Sequence, residues 1–132
     1  MLNGFDQQTE PLTDYERNVL LPIIAKGLSM HVGAKRAVSN KEIVSAMRNA
    51  GYELSEARLR KIINNIRCCG YVKCLVATSK GYHVATSPDE LSDYINSLKG
   101  REQAISAVRA YMEQQHSEWL NIINQKNHHH NV

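Results

Sequence analysis

The stretch from Ser39 to Thr86 constrains the fold of this chain more than any other part. Two amphipathic segments, SNKEIVSAMRNAG and SEARLRKIINNIRCCG, each begin with a serine suited to capping a helix and end in a glycine. Only residues 52–54 separate them. The segment YVKCLVATSKGYHVAT follows, and a turn signal at residues 79–81 divides its two runs of strand-forming residues. The sequence predicts a helix, a turn, a second helix and a hairpin.

The second of these helices has two faces of opposite character. At 100° per residue, one side is apolar and consists of Leu59, Ile62, Ile63 and Ile66. The opposite side carries Ala57, Arg60, Lys61, Asn64 and Cys68, with Asn65 and Arg67 at its borders. Between Ser55 and Lys80 there are six basic residues and one acid, Glu56, which gives a net charge of +5. The positive charge is therefore concentrated in the most structured part of the sequence.

Composition sets wide limits on function. A chain of 132 residues with a net charge of +3 suits one domain with an appended arm, and it permits a polyanionic partner without demanding one. No apolar run approaches the roughly 20 residues of a membrane span. The N-terminus also lacks the basic start and apolar core of a secretory signal. We therefore expect a cytoplasmic protein that has no membrane partner, and no small-molecule ligand is evident.

No pattern of catalytic or metal-binding residues stands out. Cys68, Cys69 and Cys74 are odd in number and lack zinc-site spacing, which favours reduced structural thiols. The sequence contains no phosphate-cradling glycine loop, no His-Glu-x-x-His and no nucleophile elbow. We interpret the three histidines at residues 128–130 as part of a C-terminal tail. The prediction is a protein without catalysis, cofactor or metal.

The flanking regions divide the chain into segments. Residues 1–11 are polar and without period, which predicts a flexible lead-in. A capping box at residues 13–16 begins a helix in which Pro22 predicts a kink or a restart. A helix capped by Ser87 follows the hairpin, and Gly100 is expected to interrupt it. We predict a domain over residues 12–99, a helical arm over 100–126 and a disordered tail over 127–132.

The arm carries an apolar stripe of its own. Its members follow alternating steps of three and four residues and are Ile105, Val108, Met112, Gln115, Trp119 and Ile122. An arm of about 26 residues is roughly 39 Å long, which is too long for a small domain to cover. We expect the apolar residues Ile105, Val108, Met112, Trp119 and Ile122 to form a homodimer interface.

These elements together match one architecture. The fold class is mainly α (α+β): a winged helix-turn-helix with a three-helix core, a β-hairpin wing at residues 71–86 and a C-terminal helical arm. Its second helix, residues 55–69, is the expected reader of a DNA groove, because arginine, lysine and asparagine suit phosphates and base edges. The candidate DNA-binding residues are Ser39, Asn40, Ser55, Arg58, Arg60, Lys61, Asn64, Asn65, Arg67, Lys73, Ser79 and Lys80.

Four stretches resemble small winged-helix proteins of phages and prophages: LTDYER at residues 12–17, NKEI at 40–43, RLRKII at 58–63 and ATSKGY at 77–82. The resemblance covers about residues 12–98, and ATSKGY is its most specific part. It implies a DNA-binding regulator of transcription or a replication accessory, with a reader helix at residues 55–69 and a wing at 78–82. The arm lies outside it.

Two functions remain open on the sequence alone. The first is non-catalytic binding of double-stranded DNA. The alternative is a winged helix that serves as a protein–protein interaction module in a replication or phage assembly complex. Dependence on salt separates them, because contacts to phosphates weaken steeply as ionic strength rises and apolar contacts do not.

Overall fold

A computed structural model describes residues 10–130 of the chain, with side chains described as far as Asn127. The fold is mainly helical and contains one small antiparallel hairpin. It divides into two compact units, one ending at Leu91 and the other beginning at Ser92. None of the helices in residues 10–130 combines the length and the apolar character that crossing a bilayer takes.

The first helical segment begins at the predicted capping box. Glu16 N donates to Thr13 Oγ1 at 3.1 Å, and Thr13 N donates to Glu16 Oε1 at 2.8 Å. A π-helical turn, Glu16–Leu20, then passes directly into helix α1, Leu21–Leu28. In an α-helix a proline ring collides with the carbonyl group four residues earlier, and the wider π turn relieves that collision before Pro22. The irregularity predicted at Pro22 is this π-helical turn.

Helices α2, Asn40–Asn49, and α3, Glu56–Cys68, follow with the predicted caps. Ser39 Oγ accepts from Glu42 N and Ser55 Oγ accepts from Arg58 N, both at 3.1 Å. Helix α3 packs against α1 and α2. Its four apolar residues are at most 2% exposed and form the centre of the core. The rest of the core cluster consists of Leu12, Leu20, Leu21, Ile24, Leu28, Val38, Met47, Val72, Leu75 and Tyr82.

The hairpin is shorter than the sequence predicted. Strands β1, Leu75–Thr78, and β2, Gly81–Val84, pair antiparallel across a two-residue turn. The expected strand residues Val72 to Cys74 instead lie in a turn, because the chain bends through Cys74 at a φ of 60°, which is incompatible with a strand. On the other edge of β2, Val38 forms an isolated antiparallel bridge with Tyr82.

An ion pair ties α3 to the first helical segment. Arg58 Nε lies 2.7 Å from Glu16 Oε2, and Arg58 Nη2 donates to Glu16 Oε1. The same guanidinium donates to the carbonyl oxygens of Glu10 at 3.0 Å and Pro11 at 2.9 Å. The side chains of Arg58 and Glu16 are only 15% and 9% exposed. The donors of Arg58 are thus directed at protein oxygens, and its contact with DNA stays a prediction.

This ion pair gives the stability of the fold a defined pH dependence. Hydrogen bonds from Arg58 hold the pKa of Glu16 below its usual value. Since the pKa is lower in the folded state, the stabilisation is present above the unfolded value near pH 4.3 and is lost as pH falls through the folded value. We expect Glu16→Gln to cost about 2–3 kcal/mol at pH 7. In urea unfolding, that difference from the wild type should shrink towards pH 3; an undiminished difference would contradict the account.

Helix α4, Pro88–His130, is continuous. The predicted interruption at Gly100 is wrong: one glycine costs only about 1 kcal/mol in a helix interior, and strong helix formers such as Leu98, Lys99, Arg101 and Glu102 flank it. The boundary between the two compact units falls within this helix, after Leu91. The domain bounds of residues 12–99 and 100–126 stay predictions. The helix starts as predicted, since Ser87 Oγ accepts from Glu90 N at 3.2 Å.

The predictions for the two ends of the chain are tested only in part. Residues 1–9, most of the expected lead-in, lie outside the described residues, whereas the carbonyl groups of Glu10 and Pro11 are bound by Arg58. At the other end the helical backbone continues through residues 127–130, where a disordered tail was expected. Asn131 and Val132 lie outside the described residues.

Candidate nucleic-acid interface

The solvent-facing side of α3 carries the residues that the sequence placed there. Arg60, Asn64 and Cys68 are exposed and lie on successive turns, while Ala57 and Lys61 beside them are half-buried. The helix can present them because its four apolar residues fix the opposite side in the core. Two cations and an amide thus lie within one turn, on a helix whose orientation is set by packing.

Asn65 and Arg67 occupy the borders of this side. Both are half-buried, in agreement with their predicted border positions. Asn65 Oδ1 lies 3.8 Å from Cys69 Sγ. A border position favours contact with the nucleic-acid backbone over contact with base edges, because only the central side chains can enter a groove.

The hairpin places a further cation at its tip. Ser79 and Lys80 form the two-residue turn and are exposed. Thr78 Oγ1 accepts from Lys80 N at 3.2 Å, which holds the turn. Lys73 is exposed as well, although it lies in the turn at residues 71–74 and not within a strand. Lys80 therefore projects from an ordered turn whose geometry is set by Thr78.

At the starts of α2 and α3, the side chains predicted to bind DNA form hydrogen bonds within the fold. The hydroxyl groups of Ser39 and Ser55 cap α2 and α3. Asn40 Oδ1 accepts from the hydroxyl group of Tyr82 at 2.8 Å, which joins the start of α2 to β2. Contact with a phosphate would therefore fall to the backbone N–H groups of these first turns rather than to the serine hydroxyls.

The net charge of the candidate interface is lower than the +5 counted from the sequence, but it remains positive. Six cations stand against Glu56 between residues 55 and 80. Arg58 is neutralised by Glu16, which leaves Arg60, Lys61, Arg67, Lys73 and Lys80 against one acid, or 5 − 1 = +4. This surface is still strongly basic for a segment of that length.

Sequence reasoning missed two cations on α2. Lys41, Ser45 and Arg48 line an open groove of about 350 Å³ together with Ser55 and Glu56 at the start of α3. Both cations are exposed. The sequence does indicate this arrangement, because Lys41 and Arg48 are seven residues apart with Ser45 between them, which places all three on one helix face. Lys41 and Arg48 thus add positive charge beside the N-terminus of α3.

A histidine–glutamate pair joins β2 to the first turn of α4. His83 is 2% exposed, and its Nε2 lies 2.6 Å from Glu90 Oε1. The N–H of Thr86 and the imidazole of His83 hold the pKa of Glu90 below its usual value. Among the described side chains, residues 10–127, no three His, Cys, Asp or Glu are grouped so as to hold a metal ion. The pair connects β2 to the start of α4 by a hydrogen bond.

No protein-family model matches the sequence, and no curated protein or solved structure matches it either. The function is therefore inferred from the geometry of the chain itself.

Proposed function

We propose that the chain is a winged helix-turn-helix protein that binds double-stranded DNA in the cytoplasm without catalysis. The observation that carries this proposal is the exposed side of α3, where Arg60, Lys61 and Asn64 lie opposite a buried apolar side. Long cations reach phosphates and guanine edges, and an asparagine amide suits adenine. Helix α3 is the reader helix of this proposal.

Three further observations support the architecture. Helices α2 and α3 are joined by a short link and pack on each other, as a helix-turn-helix requires. The hairpin follows directly, and the Val38–Tyr82 bridge adds a third chain segment to its edge. The backbone nitrogen of Val38 lies 2.9 Å from the carbonyl oxygen of Tyr82, and the nitrogen of Tyr82 lies 2.8 Å from the carbonyl oxygen of Val38. Lys80 lies at the tip of the hairpin, where a wing would meet a flanking phosphate.

The basic groove beside α3 adds to this proposal. In a helix-turn-helix, the helix before the reader crosses the DNA backbone. Lys41 and Arg48 on α2 are exposed at the groove that also contains the start of α3. We assign them to phosphate contacts. A role in transcription or replication, as the resemblance to phage proteins implies, stays a prediction.

The salt dependence of binding tests the proposal. The five cations of the candidate interface, together with Lys41 and Arg48, make seven phosphate contacts in this proposal. They predict a slope of about −6.3 for log K against log salt, which amounts to a loss of roughly 6,000-fold in affinity between 50 and 200 mM. Fluorescence anisotropy with a labelled mixed-sequence duplex measures this directly. Absence of binding at 50 mM salt would overturn the proposal. Absence of DNA binding would favour the protein-interaction alternative, whereas binding that does not weaken as salt rises would show that these phosphate contacts do not carry it.

A further inference from the structure

Beyond residue 91, helix α4 carries a long apolar stripe that is exposed to solvent. Ile105 is 71% exposed and Trp119 is 68% exposed, and Val108, Met112 and Ile122 are each at least half exposed. An isolated helix gains little from such side chains, since most helical stability in proteins comes from packing an apolar face. A run of this length therefore indicates an interaction surface.

The stripe keeps a strict seven-residue repeat. Leu98, Ile105, Met112 and Trp119 recur at position a, and Tyr94, Arg101, Val108, Gln115 and Ile122 recur at position d. The repeat passes through Gly100 without a shift of register, because the helix is continuous there. It runs over the 29 residues from Tyr94 to Ile122, a length of about 42 Å. A period of 3.5 residues is that of helices that supercoil around one another.

We propose that the segment from Tyr94 to Ile122 pairs antiparallel with the same segment of a second copy of this chain. The register places residue n opposite residue 213 − n of the partner copy. Ile105 and Val108 then meet each other across the two-fold axis, and Leu98 meets Gln115. The proposal does not depend on DNA binding.

The polar positions within the stripe favour the antiparallel arrangement. In a parallel, in-register pair, Arg101 would lie against Arg101 of the other copy, and Gln115 against Gln115. Two arginines in one core layer repel each other, because both remain charged. In the antiparallel register, Arg101 lies opposite Met112, where its methylene stem can pack while the guanidinium extends to solvent.

Charge complementarity selects the register. Glu102 and Arg109 both occupy position e, and in this register Glu102 of each copy faces Arg109 of the other, which gives two symmetric ion pairs. Within one helix, Arg109 Nε lies 3.4 Å from Glu113 Oε1, and both side chains are at least 70% exposed, so Arg109 can exchange this contact. A shift of one heptad in either direction would place Arg109 opposite Arg109, or Glu102 opposite Glu102. Parallel pairing would bring no opposite charges together between positions g and e.

Light scattering coupled to size-exclusion chromatography tests the pairing on the full chain. One copy has a mass of 14.9 kDa, so a dimer has 2 × 14.9 = 29.8 kDa. We expect the dimer for the wild type at about 100 µM and a monomer for Val108→Asp, with the helical circular dichroism signal showing whether the rest of the fold persists. Ala110→Asp is the matched control, because it puts the same charge on the outer face and should leave the dimer intact.

Charge reversal tests the register. Glu102→Arg and Arg109→Glu should each raise the dissociation constant of the dimer about tenfold, and the double variant should recover most of that loss. A monomeric wild type at 100 µM would overturn self-association and leave a different protein as the occupant. A dimer in which the double variant is as weak as the sum of the single variants would overturn the antiparallel register.

Discussion

Replacing both Arg60 and Lys61 with alanine should weaken binding of duplex DNA by about 30-fold to 100-fold at low salt. These two side chains are the cations nearest the centre of the exposed side of α3. If each neutralises a phosphate, the slope of log K against log salt should also become shallower by about 2. Anisotropy titrations of the wild type and the double variant at two salt concentrations measure both effects.

A matched control separates this local effect from a change in overall charge. Arg17→Ala/Lys26→Ala also removes two exposed cations, but from the first helical segment. We expect it to change the affinity less than threefold. Equal losses in the two double variants would show that α3 has no special position in binding.

Gly81→Ala should lower the free energy of unfolding by about 3 kcal/mol or more. Gly81 has a φ of 120°, a backbone conformation that residues with a Cβ rarely adopt. A methyl group there would overlap the carbonyl group of Val38 and lie 2.8 Å from the backbone nitrogen of Ser39. Relief of that overlap would break the bridge between Val38 and Tyr82, which carries two backbone hydrogen bonds. Urea unfolding followed by circular dichroism measures the loss.

Gly100→Ala is the control for this substitution. Nothing lies within 4 Å of a Cβ added at Gly100, and the residue is inside a helix. Alanine there should leave the hairpin unaffected and stabilise the helix by roughly 0.5–1 kcal/mol. If Gly81→Ala proved as harmless as Gly100→Ala, the close approach of the Val38 segment to the hairpin would not exist in solution.

The helices and caps of the first unit were largely predictable from the sequence. Ser39, Ser55 and Ser87 each accept a backbone N–H as their spacing to the following residues predicted. The two faces of α3 followed from the period of its apolar residues. Such features depend on residues within one or two turns, so a single sequence contains the information.

The errors arose where distant contacts decide the outcome. Nothing local indicated that Arg58 would reach across 42 residues to Glu16 rather than face solvent. The π-helical turn before Pro22 shifts the helix register, and Leu21 is buried while Ile23 is 39% exposed. Gly100 does not break α4, because the strong helix formers on both sides of it offset the cost of about 1 kcal/mol for one glycine.

The role of α3 as the reader helix can be tested by mapping the DNA contact at residue resolution. Backbone amide chemical shifts of ¹⁵N-labelled protein would be followed during titration with a mixed-sequence duplex at low salt. We expect the largest changes at Arg60, Lys61 and Asn64, with further changes at Lys80 and in the first turns of α2 and α3. Changes confined to α4, or no change at all, would contradict the assignment of α3 as the reader helix.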